Sequence, residues 1–160
     1  MKITNTTTNT SQRPARRPPA IANKLVALLL RSPFHGRISK DILLLKFTGR
    51  KTGKTYTIPV GYARSGNTVT MFTDHTWWKN LEAQPQVEVC LQGKWHTARA
   101  EVLHEDKTQT EREMLDFVRH RPRVAQAYGV RFAENGEVNQ ESLRGAAQRF
   151  TLIHVLLNGS

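Results

Sequence analysis

The sequence predicts a mainly β domain, a small antiparallel barrel of about six strands with flanking helices. Three observations carry this. Short apolar or β-branched runs recur along residues 42–157, glycine-bearing turns separate them, and helical spacing is confined to a few short stretches. With 160 residues one domain is the default, and a chain of that length can bury a core without disulfides or metal.

Ile42–Thr48 is apolar and stops at Gly49, which predicts a strand covered on both faces. Residues 49–54 (Gly-Arg-Lys-Thr-Gly-Lys) are turn chemistry, and Thr55–Tyr62 restores β-favouring residues. Pro59 lacks an N–H, so this second strand is expected to be bulged or unpaired there. After Ser65-Gly66-Asn67 comes a third strand, Thr68–Thr73, then a short helix over about Thr76–Ala83, ended by Pro85. Gln86–Leu91 and about Trp95–Leu103 form a hairpin around Gln92-Gly93-Lys94. Asp106 to Tyr128 reads as two helices broken near Pro122, and Phe150–Leu157 as the last strand.

The charge is uneven. Net charge is +11, but residues 1–40 hold eight Lys or Arg and no acid, while residues 41–160 hold sixteen against thirteen acids. A nucleic-acid-binding domain would carry its charge on a folded face. Here the excess lies at the N-terminus, which leaves a nucleic-acid role for that arm as a remote alternative only. Residues 1–19, rich in Thr, Asn, Arg and Pro, are expected to form a disordered basic tail, and residues 20–160 the single domain. Deleting residues 1–19 should leave the melting temperature unchanged, whereas a large drop would show that the segment packs on the domain. Ile21, Leu25, Leu28 and Leu29 share a helical face, read as a helix packed on the domain, with a basic helix resting on an anionic membrane as the alternative. The apolar run 25–30 is too short for a secretory core or a membrane span. The lone Cys90, within an apolar run, excludes an intrachain disulfide and reads as a buried, inert thiol in a reducing, cytoplasmic setting.

The turn 49–54 carries the strongest chemistry. It imitates the phosphate loop of nucleotide hydrolases but has three residues between its glycines where that motif needs four, and β-like residues follow it rather than a helix. What survives is physical. Two glycines permit unusual backbone angles and close approach, and exposed amides with Arg50, Lys51 and Lys54 can surround an anion. The plainer alternative is a solvated basic hairpin. In Trp77-Trp78-Lys79-Asn80-Leu81 the adjacent tryptophans point about 100° apart, so one can pack inward while the other lines a surface or ligand. Asn80 falls on nearly the same face as Trp77. His35, His75, His96, His104, His120 and His154 lack metal-ligand spacing, so no metal is expected.

Residues 44–54, then Pro59-Val60-Gly61-Tyr62, Trp77-Trp78-Lys79-Asn80-Leu81 and Pro85-Gln86-Val87-Glu88-Val89, follow one another as in the deazaflavin-dependent nitroreductase family, which this chain resembles over about residues 21–157. The resemblance implies a split-barrel, pyridoxamine-phosphate-oxidase-like fold. It implies an oxidoreductase that passes hydride from reduced deazaflavin coenzyme F-420 to a small electrophile, a quinone or nitro compound. By position, Arg50, Lys51, Thr52, Gly53 and Lys54 would hold the phosphate-bearing tail. Pro59 and Val60 would lie beside the ring, and Thr73, Trp77 and Asn80 would border the pocket. No acid–base triad is implied; His75 and Tyr128 are the only catalytic candidates. The chain departs from the family in a short 73–76 loop, in Tyr56 where a basic residue is usual, and in few aromatics on the late helices. FMN is therefore the alternative cofactor, and a non-catalytic binder of a cofactor or hydrophobic ligand the alternative function. Monomer and homodimer both fit the resemblance.

Overall fold

The computed structural model describes residues 40–158. The expected tail 1–19 and the helix around Ile21–Leu29 lie outside the described residues. Seven strands form one antiparallel sheet: β1 (Ile42–Thr48), β2 (Thr55–Gly61), β3 (Ala63–Ser65), β4 (Thr68–Thr73), β5 (Gln86–Leu91), β6 (Lys94–Leu103) and β7 (Thr151–Leu157). Between them lie helix α1 (Trp78–Ala83), helix α2 (Lys107–His120), a 3₁₀ helix (Pro122–Tyr128) and helix α3 (Gln140–Arg149).

The strand order is β2-β1-β5-β6-β7-β4-β3. The two edge strands, β2 and β3, are separated in sequence by Tyr62 alone, so the chain steps directly from one edge to the other. A sheet whose edges are joined by one residue must curl upon itself, and the Tyr62 amide carries the β1–β2 ladder one rung further, donating to the Asp41 carbonyl at 3.0 Å. The strand expected over 55–62 is β2, and the seventh strand, where about six were expected, is the three-residue β3 just beyond it.

Alternation fills the barrel. Leu43, Leu45 and Phe47 of β1, Val87 and Val89 of β5, Val69 and Met71 of β4, and Ile153 and Val155 of β7 are all buried inside it, with Leu81 and Trp78 of α1 closing one side. The intervening residues of β1 are only half-covered, so the strand is not buried on both faces as its apolar run suggested. Nor does Pro59 bulge β2: the register runs unbroken from Ile42↔Gly61 to Thr48↔Thr55, with Pro59 opposite Leu44. An edge strand tolerates a missing donor, because it pairs on one side only.

A second core forms outside the barrel, where Phe72 and Leu152 meet Met114, Phe117 and Val118 of α2 and Leu143 and Ala146 of α3. This explains why Thr151, Leu152 and Ile153 are buried in succession: helices cover the outer face there. Helix α2 begins at Asp106, whose carboxylate accepts from the Gln109 amide at 2.8 Å. Helix α3 begins at Asn139, whose side chain accepts from the Ser142 amide at 2.8 Å. The sequence reading left α3 unassigned, although Asn139 is a capping residue and Leu143, Ala146 and Ala147 share a face. Its single large apolar residue made that pattern faint. The second expected helix after Pro122 is a 3₁₀ turn, closed by Gly129 at φ 74°.

Candidate cofactor site

The turn between β1 and β2 is built by its two glycines for different reasons. Gly49 is buried, and a Cβ there would stand 2.6 Å from Cε2 of Tyr56 and 3.0 Å from Oγ1 of Thr52. Gly53 has open space around it but a φ of +62°, which L side chains rarely adopt. The Gly49 amide donates to the Lys54 carbonyl (2.7 Å), the Gly53 amide to the Gly49 carbonyl (2.8 Å), and the Lys54 amide to Oγ1 of Thr52 (3.2 Å). The Arg50 amide donates to Oδ1 of Asn80 at 3.0 Å. Most of the turn's amides are therefore engaged. Those of Lys51 and Thr52 make no described hydrogen bond and stand beside the exposed side chains of Arg50, Lys51 and Lys54, which form no ion pair among the described residues.

Asn80 joins the two segments that the sequence singled out. Its Oδ1 takes the Arg50 amide while its Nδ2 donates to the Trp77 carbonyl at 2.9 Å, so the side chain clamps the turn to the start of α1. An aromatic stack supports the clamp. Phe47 lies between Tyr56 (ring centroids 5.7 Å apart, 24° between planes) and Trp77 (5.8 Å, 25°). Trp77 is half-buried against the barrel core, and Trp78 is buried and stacked on His104 at 4.3 Å. Nδ1 of that histidine is 2.9 Å from Oγ1 of Thr151. Phe47 and Tyr56 went unremarked as a platform in the sequence, yet the hairpin register sets them opposite each other.

The remaining candidates are placed as follows. Thr73 is buried, and its hydroxyl accepts from the His75 amide at 3.1 Å, fixing the short loop into α1. The His75 side chain is 81% exposed, with its ring 3.7 Å from Asp74. Pro59 is half-exposed on the edge strand, and Val60 points into the barrel. Tyr128 packs among Phe72, Phe117 and Phe150, and its hydroxyl lies against Gly61, one residue beyond Val60. Burial pushes its phenol pKa up, with Arg121 opposing, so it stays protonated at neutral pH. Cys90 is half-buried rather than buried, and burial raises its thiol pKa, with a backbone contact from Gly93 opposing, which keeps it a poor nucleophile.

Two clefts, of about 730 and 380 Å³, lie elsewhere and are lined by none of the ten cofactor candidates. Cleft size is a weak guide here, because an anion can be held by amides and cations at an exposed turn without a cavity. Among the described residues, no group of three or more His, Cys, Asp or Glu is placed to hold a metal ion, and no helix is long and apolar enough to cross a membrane.

A curled antiparallel barrel whose cationic glycine turn is fastened to helix α1 has the architecture of a split barrel. The chain belongs to the F420H(2)-dependent quinone reductase family, whose model matches residues 31–133. It is accordingly an oxidoreductase that works with reduced deazaflavin coenzyme F-420, the first of the two cofactors considered. No curated protein matches the chain. Among solved structures it is similar to HutZ, the heme storage protein from Vibrio cholerae, at 12% identity over 81% of this chain and 91% of that one, with a TM-score of 0.52. A F420-H2 dependent reductase (FDR-A) aligns at 18% identity over 72% and 94% of the two chains, TM-score 0.49. A candidate pyridoxamine 5'-phosphate oxidase from Listeria innocua aligns at 13% identity over 87% and 94%, TM-score 0.49. At these identities the likeness is one of fold.

Proposed function

We propose that this protein delivers hydride from the reduced deazaflavin to a small quinone, or a comparably electrophilic nitro compound, with the coenzyme's phosphate-bearing tail seated on the turn 49–54. The single observation carrying the site is the Asn80 clamp. It leaves the Lys51 and Thr52 amides and three cations without an ion pair among the described residues presented together on a fixed backbone. The coenzyme supplies the hydride when bound; the chain binds, orients and excludes water. Pro59 puts no N–H at the exposed edge of β2, so a flat ring can lie against that strand without stranding a donor. Trp77 gives the turn an apolar flank. The reading makes this a cytoplasmic protein with a small-molecule substrate, acting as a monomer or a homodimer.

In this account Asn80 positions the turn and need not touch the ligand. Asn80→Ala should weaken coenzyme binding about tenfold while the melting temperature falls only modestly, since the variant loses one exposed and one part-buried hydrogen bond, together about 1–2 kcal/mol. The site as a whole is tested by fluorescence in a variant carrying Trp78→Phe and Trp95→Phe, in which Trp77 is the one remaining indole. Its emission should be quenched as coenzyme is added. Saturable binding with no change in Trp77 emission would place the coenzyme elsewhere.

A further inference from the structure

At the opposite end of β1 from the turn, roughly 20 Å away along the seven-residue strand, the barrel forms a second cationic site. Lys40, Arg64, Lys94 and Arg121 line a cavity of about 380 Å³ together with Tyr62, Gln92 and His96, and among the described residues no acid lines it. The four cations come from four separate segments: the approach to β1, strand β3, the start of β6 and the link after α2. The fold itself brings them together. The hairpin tip that presents Lys94 is a two-residue turn with Gln92 at φ 48° and Gly93 at φ 83°, a conformation that a non-glycine residue adopts only under constraint. Arg64 is held in place by its Nε, which donates to the Gly66 carbonyl at 2.9 Å, and Arg121 by Asp41 at 3.3 Å and the face of Phe117. Four converging cations with one neighbouring carboxylate repel one another, and a polyanion relieves that repulsion.

Arg64 and Arg121 also line the adjoining cleft of about 730 Å³. Its acids have partners: Asp41 with Arg121, Asp116 with His120 at 3.4 Å, and Glu113 with His154 at 2.7 Å. Ala63, Phe117 and Val124 give it apolar walls. A chamber lined by cations and by no described acid therefore opens beside a larger cleft whose acids each have a partner.

We propose that Lys40, Arg64, Lys94 and Arg121 form a second anion site that takes the diphosphate group of a small molecule, the uncharged remainder lying in the adjoining cleft. A single carboxylate would neutralise one of the four cations; a diphosphate approaches their combined charge. Burial, with the nearby Asp41 carboxylate, pushes the Tyr62 phenol pKa up against Arg64 and Arg121, which keeps it uncharged at the site.

Calorimetric titration of the full-length protein with inorganic pyrophosphate at physiological salt tests this. Saturable binding is expected, with orthophosphate weaker by about tenfold or more. R64Q/K94Q should weaken pyrophosphate by about tenfold or more, and R50A/K51A, which strips the turn 49–54 of two of its own phosphate-binding cations, should still show saturable pyrophosphate binding. Lys94→Gln alone, a change at an exposed hairpin end, should lower affinity in the same direction and guards against misfolding of the double variant. Absence of saturable binding, unchanged affinity in R64Q/K94Q, or the same loss in both double variants would overturn the proposal.

Discussion

Replacing both Arg50 and Lys51 with Ala should raise the coenzyme dissociation constant by a factor of about a hundred or more, because well-placed charge-assisted hydrogen bonds contribute about 1.5–3 kcal/mol each. Stability should hardly change. Both side chains are exposed and make no ion pair among the described residues, and the Arg50 amide keeps its bond to Asn80 whichever side chain it bears. The double variant thus removes the cations while preserving the shape of the turn. Titration followed by coenzyme fluorescence measures the effect. A coenzyme fragment lacking the phosphate-bearing tail should bind wild type and variant alike. Equal affinity of the two proteins for the intact coenzyme would return the turn to a solvated basic hairpin.

Gly49→Ala should be the most damaging single change in the site. A methyl group 2.6 Å from the Tyr56 ring cannot be accommodated unless that ring moves, and the ring is stacked on Phe47, which in turn supports Trp77. The expected loss is about 1–3 kcal/mol of stability, as for other overpacked positions. Coenzyme affinity should fall as well, because the Gly49 amide and carbonyl both close the turn. Gly53→Ala makes the comparison: space is open there, so its cost is that of the left-handed backbone, about 1–2 kcal/mol. Urea unfolding of the two variants, with coenzyme titration of each, separates steric displacement of the stack from backbone strain alone. If Gly49→Ala were as stable as wild type, Tyr56 would not be the fixed support described above.

Much of this was legible in the sequence, and the misses have physical causes. Strands β1, β4 and β5 run over the predicted residues, because their apolar runs end at glycine, aspartate and a two-residue turn. The edge strand β3, Ala63–Ser65, was not legible. Nothing local in Ile58–Arg64 says that one end pairs with β1 and the other with β4; that follows only from closing the sheet. Helix α3 escaped because small alanines make its buried face. In the site, the turn and the Trp77–Asn80 segment were found from residue type, but their bond was not, since thirty residues separate Arg50 from Asn80. Sequence also overstated the turn's open amides: four of those in 49–54 are satisfied internally or by Asn80. The cationic chamber at the far end of β1 left no motif at all, because its four cations are scattered from residue 40 to residue 121.

The central claim is that the coenzyme sits on the turn 49–54 and along β2, clamped beside Trp77. Amide hydrogen exchange of the full-length protein, with and without oxidised coenzyme F-420, addresses it most directly. Binding should slow exchange at Lys51 and Thr52, whose amides make no described hydrogen bond, and across peptides covering residues 49–61 and 76–81. Exchange at the distant hairpin tip around Gln92 should not change. Protection confined to peptides carrying Arg64, Lys94 and Arg121, with residues 49–54 exchanging as fast as in the free protein, would contradict the account.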